Sequence, residues 1–344
     1  MQLIICNTSF ERIGMIETAS VLWHSCYYEV GDFEIYIEAL PENIELLQEK
    51  YYVVRDDDCY VGIIEDILTS GDVENGDFLT VTGKFCESIL SRRIVYYQTQ
   101  LNGTVENGLY TIIKDNVTNP DDKDRKIDVI ELGAMKGFSE RLDNQYTGDE
   151  IVEVVKGACL ANSIGFKMPL INNKFRFELY KGVDHSYNQT KNSYVVFSDE
   201  FDNLVSSEYT RSTSKTKNFA VVAGEGEGTA RRTRAVGNTK GLDRKELFVD
   251  ARDLSSNDGE ITDDEYNKSL DERGGEKLAE VKPIVKFEGE VLLDGNYVYK
   301  QDFNLGDVVT VENKKYGVFI NTRIIEILES EDENGYVITP TFGE

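Results

Sequence analysis

Short runs of strict apolar–polar alternation, broken by turn dipeptides, constrain this chain more than any other feature. Phe33, Ile35, Ile37 and Ala39 alternate with Glu34, Tyr36 and Glu38, the period of a strand with one buried and one wet face. Strand-like runs follow at 52–55, 60–68 and 78–82, divided by turn signals such as Glu74-Asn75-Gly76-Asp77. Antiparallel strands joined by tight hairpins predict a small barrel or curled sheet. Between them, 41–47 reads as a short helix with Pro41 at an early helical position.

From about 95 to 193 the period changes. Val105, Leu109, Ile112 and Ile113 fall at helical spacing and form one face of a helix that stops before Pro120. Thr147-Gly148-Asp149-Glu150 reads as a capping box opening a second helix through Ile151, Val154, Val155 and Ala158 to Gly165. Phe175, Phe177 and Leu179 then alternate with polar partners after an Asn172-Asn173 turn. The stretch reads as a small α/β module whose helix stripes are core faces.

Beyond it, Tyr194 and Val196, then Phe219 and Val221, carry strand alternation into Val222-Ala223-Gly224-Glu225-Gly226-Glu227-Gly228, where glycines permit a turn or bulge. Two interleaved glutamates and the lack of a following Gly-Lys-Ser/Thr exclude a phosphate cradle. Asp250 and Asp253 have the form of paired acids, but Arg244 and Arg252 nearby favour salt-bridged surface carboxylates. A loop at 255–259 leads into a helix across 263–281, and strand patterning returns at 287–293, 297–299, 308–311 and 317–328.

Composition narrows function. Lys plus Arg number 37 against 63 Asp plus Glu, a net charge of −26 that argues against a static grip on nucleic acid or anionic membrane. The acidic runs lack the spacing of a calcium loop. Five cysteines, at 6, 26, 59, 86 and 159, are odd in number without Cys-x-x-Cys spacing, which predicts reduced, mostly buried thiols and neither disulfides nor a zinc site. Of two histidines, His24 beside Trp23 reads as a packed residue. The N-terminal residues have no signal-peptide pattern, and no apolar run has membrane-spanning length. No catalytic, cofactor-binding or metal-ligating residue is assigned.

The stretch from Phe201-Asp202-Asn203-Leu204 through Val221 to Gly228, the step Arg231-Arg232-Thr233-Arg234, and Arg244-Lys245-Glu246-Leu247-Phe248-Val249-Asp250-Ala251-Arg252-Asp253 resembles the phage tail baseplate hub family. These are siphophage-type tail proteins related to the hubs of contractile tails and tail-like bacteriocins. The match is densest over 194–254. It implies an α+β, β-rich fold: two tube-like antiparallel β-barrels, at 1–94 and at 194–253 with 287–344, a small α/β module at 95–193 and a helical insert at 254–286. An internal echo agrees, since 60–68 followed by Asn75-Gly76 and 81–83 repeats as 323–328 followed by Asn334-Gly335 and 341–343.

The resemblance implies a structural role without enzymatic activity. Three chains, each with two barrels, adapt a six-fold tail tube to a three-fold tip and enclose the channel. The implied partners are two further copies, the tail tube or distal ring above, a spike, fibre or tip protein below, and the tape-measure protein, with DNA in transit and not bound. The implied setting is assembly in the bacterial cytoplasm into a virion tail or tail-like particle. Gly224, Gly226, Gly228, Arg231, Arg232 and Arg234, the dense basic cluster of an acidic chain, are the expected subunit contact, with pairing of the arginines inside the chain to Glu225, Glu227 or nearby acids as the equal alternative. The rival readings are a tail-associated cell-wall hydrolase and a host-carbohydrate-binding tip protein. No hydrolase motif is left over to support the first, and nineteen tyrosines spread through strands read as packing residues and not as stacking faces for the second.

Overall fold

The computed structural model describes residues 1–18, 20–72, 76–292 and 295–343. The expected turn residues Glu74 and Asn75 lie outside them, as does residue 293 at the end of one expected strand. Thirteen strands share one sheet: β1 (Leu3–Cys6), β2 (Arg12–Ile16), β3 (Ser20–Cys26), β4 (Asp32–Glu38), β5 (Tyr52–Val54), β6 (Val61–Asp72), β7 (Gly76–Phe85), β8 (Val196–Ser198), β9 (Glu208–Ser212), β10 (Ile284–Glu288), β11 (Val308–Asn313), β12 (Val318–Asp332) and β13 (Gly335–Gly343). Its order is β9-β10-β13-β12-β3-β4-β7-β6-β5-β1-β2, with β11 also on β12 and β8 on β11. The α+β, β-rich content is as expected. Two closed barrels are not found among the described residues, because the strands of the two halves join edge to edge through β3 and β12.

Alternation sets the faces. Phe33, Ile35 and Ile37 of β4 enter one core with Trp23, Phe197, Phe287, Ile327 and Phe342, drawn from both halves, while Glu34 and Glu38 stay exposed. The echo seen in the sequence is structural. In β6 the register to β7 shifts between Ile64 and Asp66, and in β12 the register to β13 shifts between Ile324 and Glu326. Each hairpin thus carries one bulge at the equivalent residue, Glu65 or Ile325. The bulges align Asp66 with Glu326 and Thr82 with Thr341, one residue away from the alignment that sequence similarity alone selects.

The short helix expected at 41–47 forms as α1 (Pro41–Leu46), and the module after β7 contains α2 (Val105–Ile113) and α3 (Ile151–Asn162) around Phe175, Phe177 and Leu179 of the strand Lys174–Tyr180. Asn172 and Asn173 both take positive φ, 52° and 58°, as a two-residue hairpin turn requires. The expected capping box at 147–150 does not form. Glu150 is the N-cap without a side-chain bond, and the N–H of Thr147 donates to Asp149 at 3.1 Å. α3 ends at Ser163 in the left-handed region, before Gly165.

The insert is larger than expected. Ser212 of β9 pairs with Ile284 of β10, so 213–283 leave the sheet and return to the same point. Within them the strands Phe219–Ala223, Thr233–Val236 and Glu246–Asp250 form a separate sheet covered by α4 (Asp263–Ala279). Residues 219–250, expected in the second barrel, therefore belong with the helix. The inward phase also differs from the reading: Ala220 and Val222 are fully buried with Leu270 and Tyr266 of α4, and Val221 is only half-buried. A one-residue change of phase moves a whole strand's side chains to the other face. The molecule's capping box is on α4, where Thr262 accepts from the N–H of Glu265 at 3.3 Å and Glu265 accepts from the N–H of Thr262 at 3.1 Å.

Candidate functional site

The glycine–arginine segment is anchored to its own chain at Gly224 and through its arginines, while 226–230 and 233–235 are exposed. Gly226 turns at φ +94°, and a Cβ on Gly224 would sit 2.2 Å from the Tyr266 hydroxyl. That hydroxyl accepts from the N–H of Glu225 at 2.8 Å and donates to the carbonyl of Leu254 at 3.3 Å. The glycines thus let the strand end press against α4. Arg231 donates to the carbonyls of Gly224 and Ala223 at 3.0 and 2.7 Å and to Asp250 at 2.6 Å. Arg232 bridges Glu225 and Asp263 at 3.2 and 2.9 Å over the Tyr266 ring, and Arg234 grips Asp271 with bonds of 2.8 and 2.6 Å. Every arginine of the cluster has acidic partners in its own chain, and Arg232 and Arg234 tie the small sheet to α4.

The two candidate acids are also paired, Asp250 with Arg252, one of the two arginines expected, and Asp253 with Arg273, which was not expected. Arg252 at 2.6 Å, with Arg231, holds the Asp250 carboxyl down at about 2. Asp253 pairs with Arg273 of α4 at 3.0 Å, and Arg244 pairs with Glu246 at 2.6 Å and lies over Phe219. The five cysteines are free thiols, four of them buried.

A second surface, not legible as a site in the sequence, is the wet face of the large sheet. Asp32, Glu34, Glu65, Asp66, Glu288 and Glu326 line an open groove there with Lys84 and His24. Among the described residues its two flanks are unpaired. Beyond Ile63, β6 has a strand partner only in β7, and β9 has one only in β10. Leu68 on β6 is accordingly 63% exposed. Within the wet face, among the described residues, one group has metal-ligating composition: the ligand atoms of His24, Cys26 and Glu326 lie within 4.8 Å of one another.

Residues 2–344 match the family model of the Siphovirus ReqiPepy6 Gp37-like protein. The chain belongs to that family. No curated protein matches in sequence. Among solved structures, the 43 kDa tail protein of prophage MuSo2 from Shewanella oneidensis is 12% identical, with 99% of this chain and 98% of that one covered at a TM-score of 0.60. The tail protein from Neisseria meningitidis MC58 is 11% identical, with 100% and 96% covered at 0.58. Prophage tail protein gp18 from Listeria monocytogenes is 11% identical, with 99% and 94% covered at 0.53. The likeness read from residues 194–254 therefore extends along the whole chain, to a siphovirus protein family and to the fold of phage tail proteins.

Proposed function

We propose that this chain is the structural hub of a phage tail or tail-like particle, three copies of which ring the central channel. The observation that carries this reading is the twice-used bulged hairpin. Inside the chain, β12 of the second hairpin pairs with β3, so Glu326, Leu328 and Ser330 lie opposite Cys26, His24 and Leu22. Among the described residues, the equivalent strand of the first hairpin, β6, has no strand there, and β9, the equivalent of β3 by its register through β10 and β13, is open on its outer edge. Repeating the internal junction between copies places Asp66, Leu68 and Ser70 of one chain opposite Ser212, Thr210 and Glu208 of the next. Open strand edges are templates for such pairing.

Two half-sheets per chain make a closed ring of six quasi-equivalent segments when three chains meet, which suits a six-fold tube above and a three-fold spike, fibre or tip below. The acidic wet face would then line the channel, where like charge keeps transiting DNA from being held. A tape-measure protein would share that channel. The paired state of Asp250 and Asp253 supports a structural role over a hydrolase, and tyrosines such as Tyr27, Tyr60 and Tyr146 are buried packing residues, whereas Tyr96, Tyr97, Tyr187, Tyr194 and Tyr316 are exposed outside the strands.

Sedimentation equilibrium and native mass measurement, on free protein and on particles, test the reading. The expected result is a three-chain species that Ser70→Glu abolishes by setting like charges opposite Glu208, with monomer melting unchanged. A monomer at all concentrations and in the particle sinks it.

A further inference from the structure

We propose that His24, Cys26 and Glu326 form a binding site for a borderline-soft divalent cation of the zinc class, clamping the seam between the two halves of the sheet. His24 and Cys26 are two residues apart on β3 and project to one face. Glu326 is the direct cross-strand partner of Cys26 on β12. The three side chains therefore converge because of register, from positions three hundred residues apart, which is why no ligand spacing is visible in the sequence.

The thiol–imidazole separation suits a tetrahedral ion, and the Glu326 carboxylate lies within 4.8 Å of both. Zinc–sulfur and zinc–nitrogen bonds of about 2.3 and 2.0–2.1 Å at a tetrahedral angle put the two ligand atoms about 3.5 Å apart. The Cys26 sulfur and His24 Nε2 are 3.6 Å apart. The other ring nitrogen, Nδ1, lies 3.5 Å from Asp32 on β4, the arrangement in which a carboxylate fixes the tautomer of a ligating histidine and raises its basicity. Thiolate, imidazole and carboxylate together favour zinc over the hard cations that acidic surfaces attract. His24 and Glu326 are half-buried and border the open groove, so the fourth position faces solvent.

One charge competes. Lys286 lies 3.7 Å from the Glu326 carboxylate and yields it when the ion enters. Metal entry displaces the Cys26 proton to solvent. The site occurs once per chain, because the repeat places Thr210 and Ser212 where β3 has His24 and Cys26. Its effect is to hold β3 to β12, among the described residues the one strand pair through which the two halves share a sheet. This inference does not depend on the oligomeric reading.

The test uses the full chain, purified with a phosphine reductant, stripped with chelator and titrated with zinc chloride against a chromophoric competitor, then with cobalt(II). The expected result is one zinc per chain, a thiolate-to-cobalt charge-transfer band and a melting temperature raised by zinc. Cys26→Ser and His24→Gln should abolish all three, and Asp32→Asn should weaken zinc binding by about 10–100-fold. Cys159→Ser, a buried thiol elsewhere, should change none of them. If Cys26→Ser does not fold, His24→Gln and Glu326→Gln decide alone. Failure of the native chain to retain zinc, a cobalt spectrum without the thiolate band, or unchanged affinity in His24→Gln overturns the proposal and leaves a thiol–imidazole hydrogen bond.

Discussion

Glu329 on β12 and Arg55, just past β5, are the most deeply buried ion pair joining the two halves. They meet through two hydrogen bonds of 3.0 and 2.9 Å, with both side chains about 1% exposed. Glu329 also accepts from the Tyr336 hydroxyl, and the guanidinium lies 5.5 Å from the Trp23 ring centre. Burial opposes the charge on Arg55, but bonds to Asp57 and Glu329 outweigh it and raise its pKa above the ordinary value. Glu329→Ala leaves the guanidinium with Asp57 at 2.7 Å, itself largely exposed, and Asp58 at 3.8 Å. Removing one partner of a buried pair costs about 3–5 kcal/mol, and two remaining acids place this case near the lower end, about 3 kcal/mol.

With an unfolding entropy of about 2.1 cal/mol/K per residue, a 344-residue cooperative unit has ~0.7 kcal/mol/K, so the melting temperature should fall by about 4 °C. Urea unfolding of the monomer, followed by circular dichroism, gives the free energy directly. Arg55→Met with Glu329→Leu should recover at least half of the loss, since an apolar pair of similar volume removes the stranded charge. A loss below about 1 kcal/mol for Glu329→Ala, or a double variant as unstable as the sum of the single ones, refutes the reasoning.

Two further outcomes follow from the geometry. Glu87 is fully buried, accepts from the N–H of Met168 at 2.8 Å, and is pushed by burial from 4.5 up to about 7. The unfolded chain ionises first as pH rises, so this group's contribution is complete below about 4.5 and declines by about 3 kcal/mol through pH 7; Glu87→Gln should flatten that slope in pH-dependent urea melts, and an unchanged slope refutes the assignment. Changing Arg231, Arg232 and Arg234 together to Ser should lower monomer stability by about 1–2 kcal/mol, the sum of four part-exposed pairs, and leave assembly intact. Loss of the assembled species with an unchanged melting curve would instead return the arginines to a subunit contact.

What the sequence made legible was local. The alternation at 33–37, the Asn172-Asn173 turn, the helix face of Val105, Leu109, Ile112 and Ile113, and the α4 span all depend on neighbours within a few residues. The failures came where a distant partner decides. Ala220 and Val222 are the inward pair because α4 arrives on that side, and a strand with small apolar residues at consecutive positions does not declare its phase. Thr147 and Glu150 have capping-box chemistry, yet Asp149 takes the Thr147 N–H. The arginines after Gly224 to Gly228 were visible, and so was neighbouring Glu225, but their other partners, Asp250, Asp263 and Asp271, come from a strand and a helix that lie distant in sequence. The wet face and its open flanks required knowing which strands are neighbours, information that alternation alone does not contain.

The pairing of β3 with β12 also sets a clock. Residues 20–26 are made early, and their partners at 326–331 are made about three hundred positions later. At roughly 5–20 residues per second, the ribosome leaves that strand without its neighbour for about 15–60 s. A half-finished chain therefore carries a bare edge long enough to meet other nascent chains, and productive yield depends on how fast the last hairpin emerges relative to such encounters.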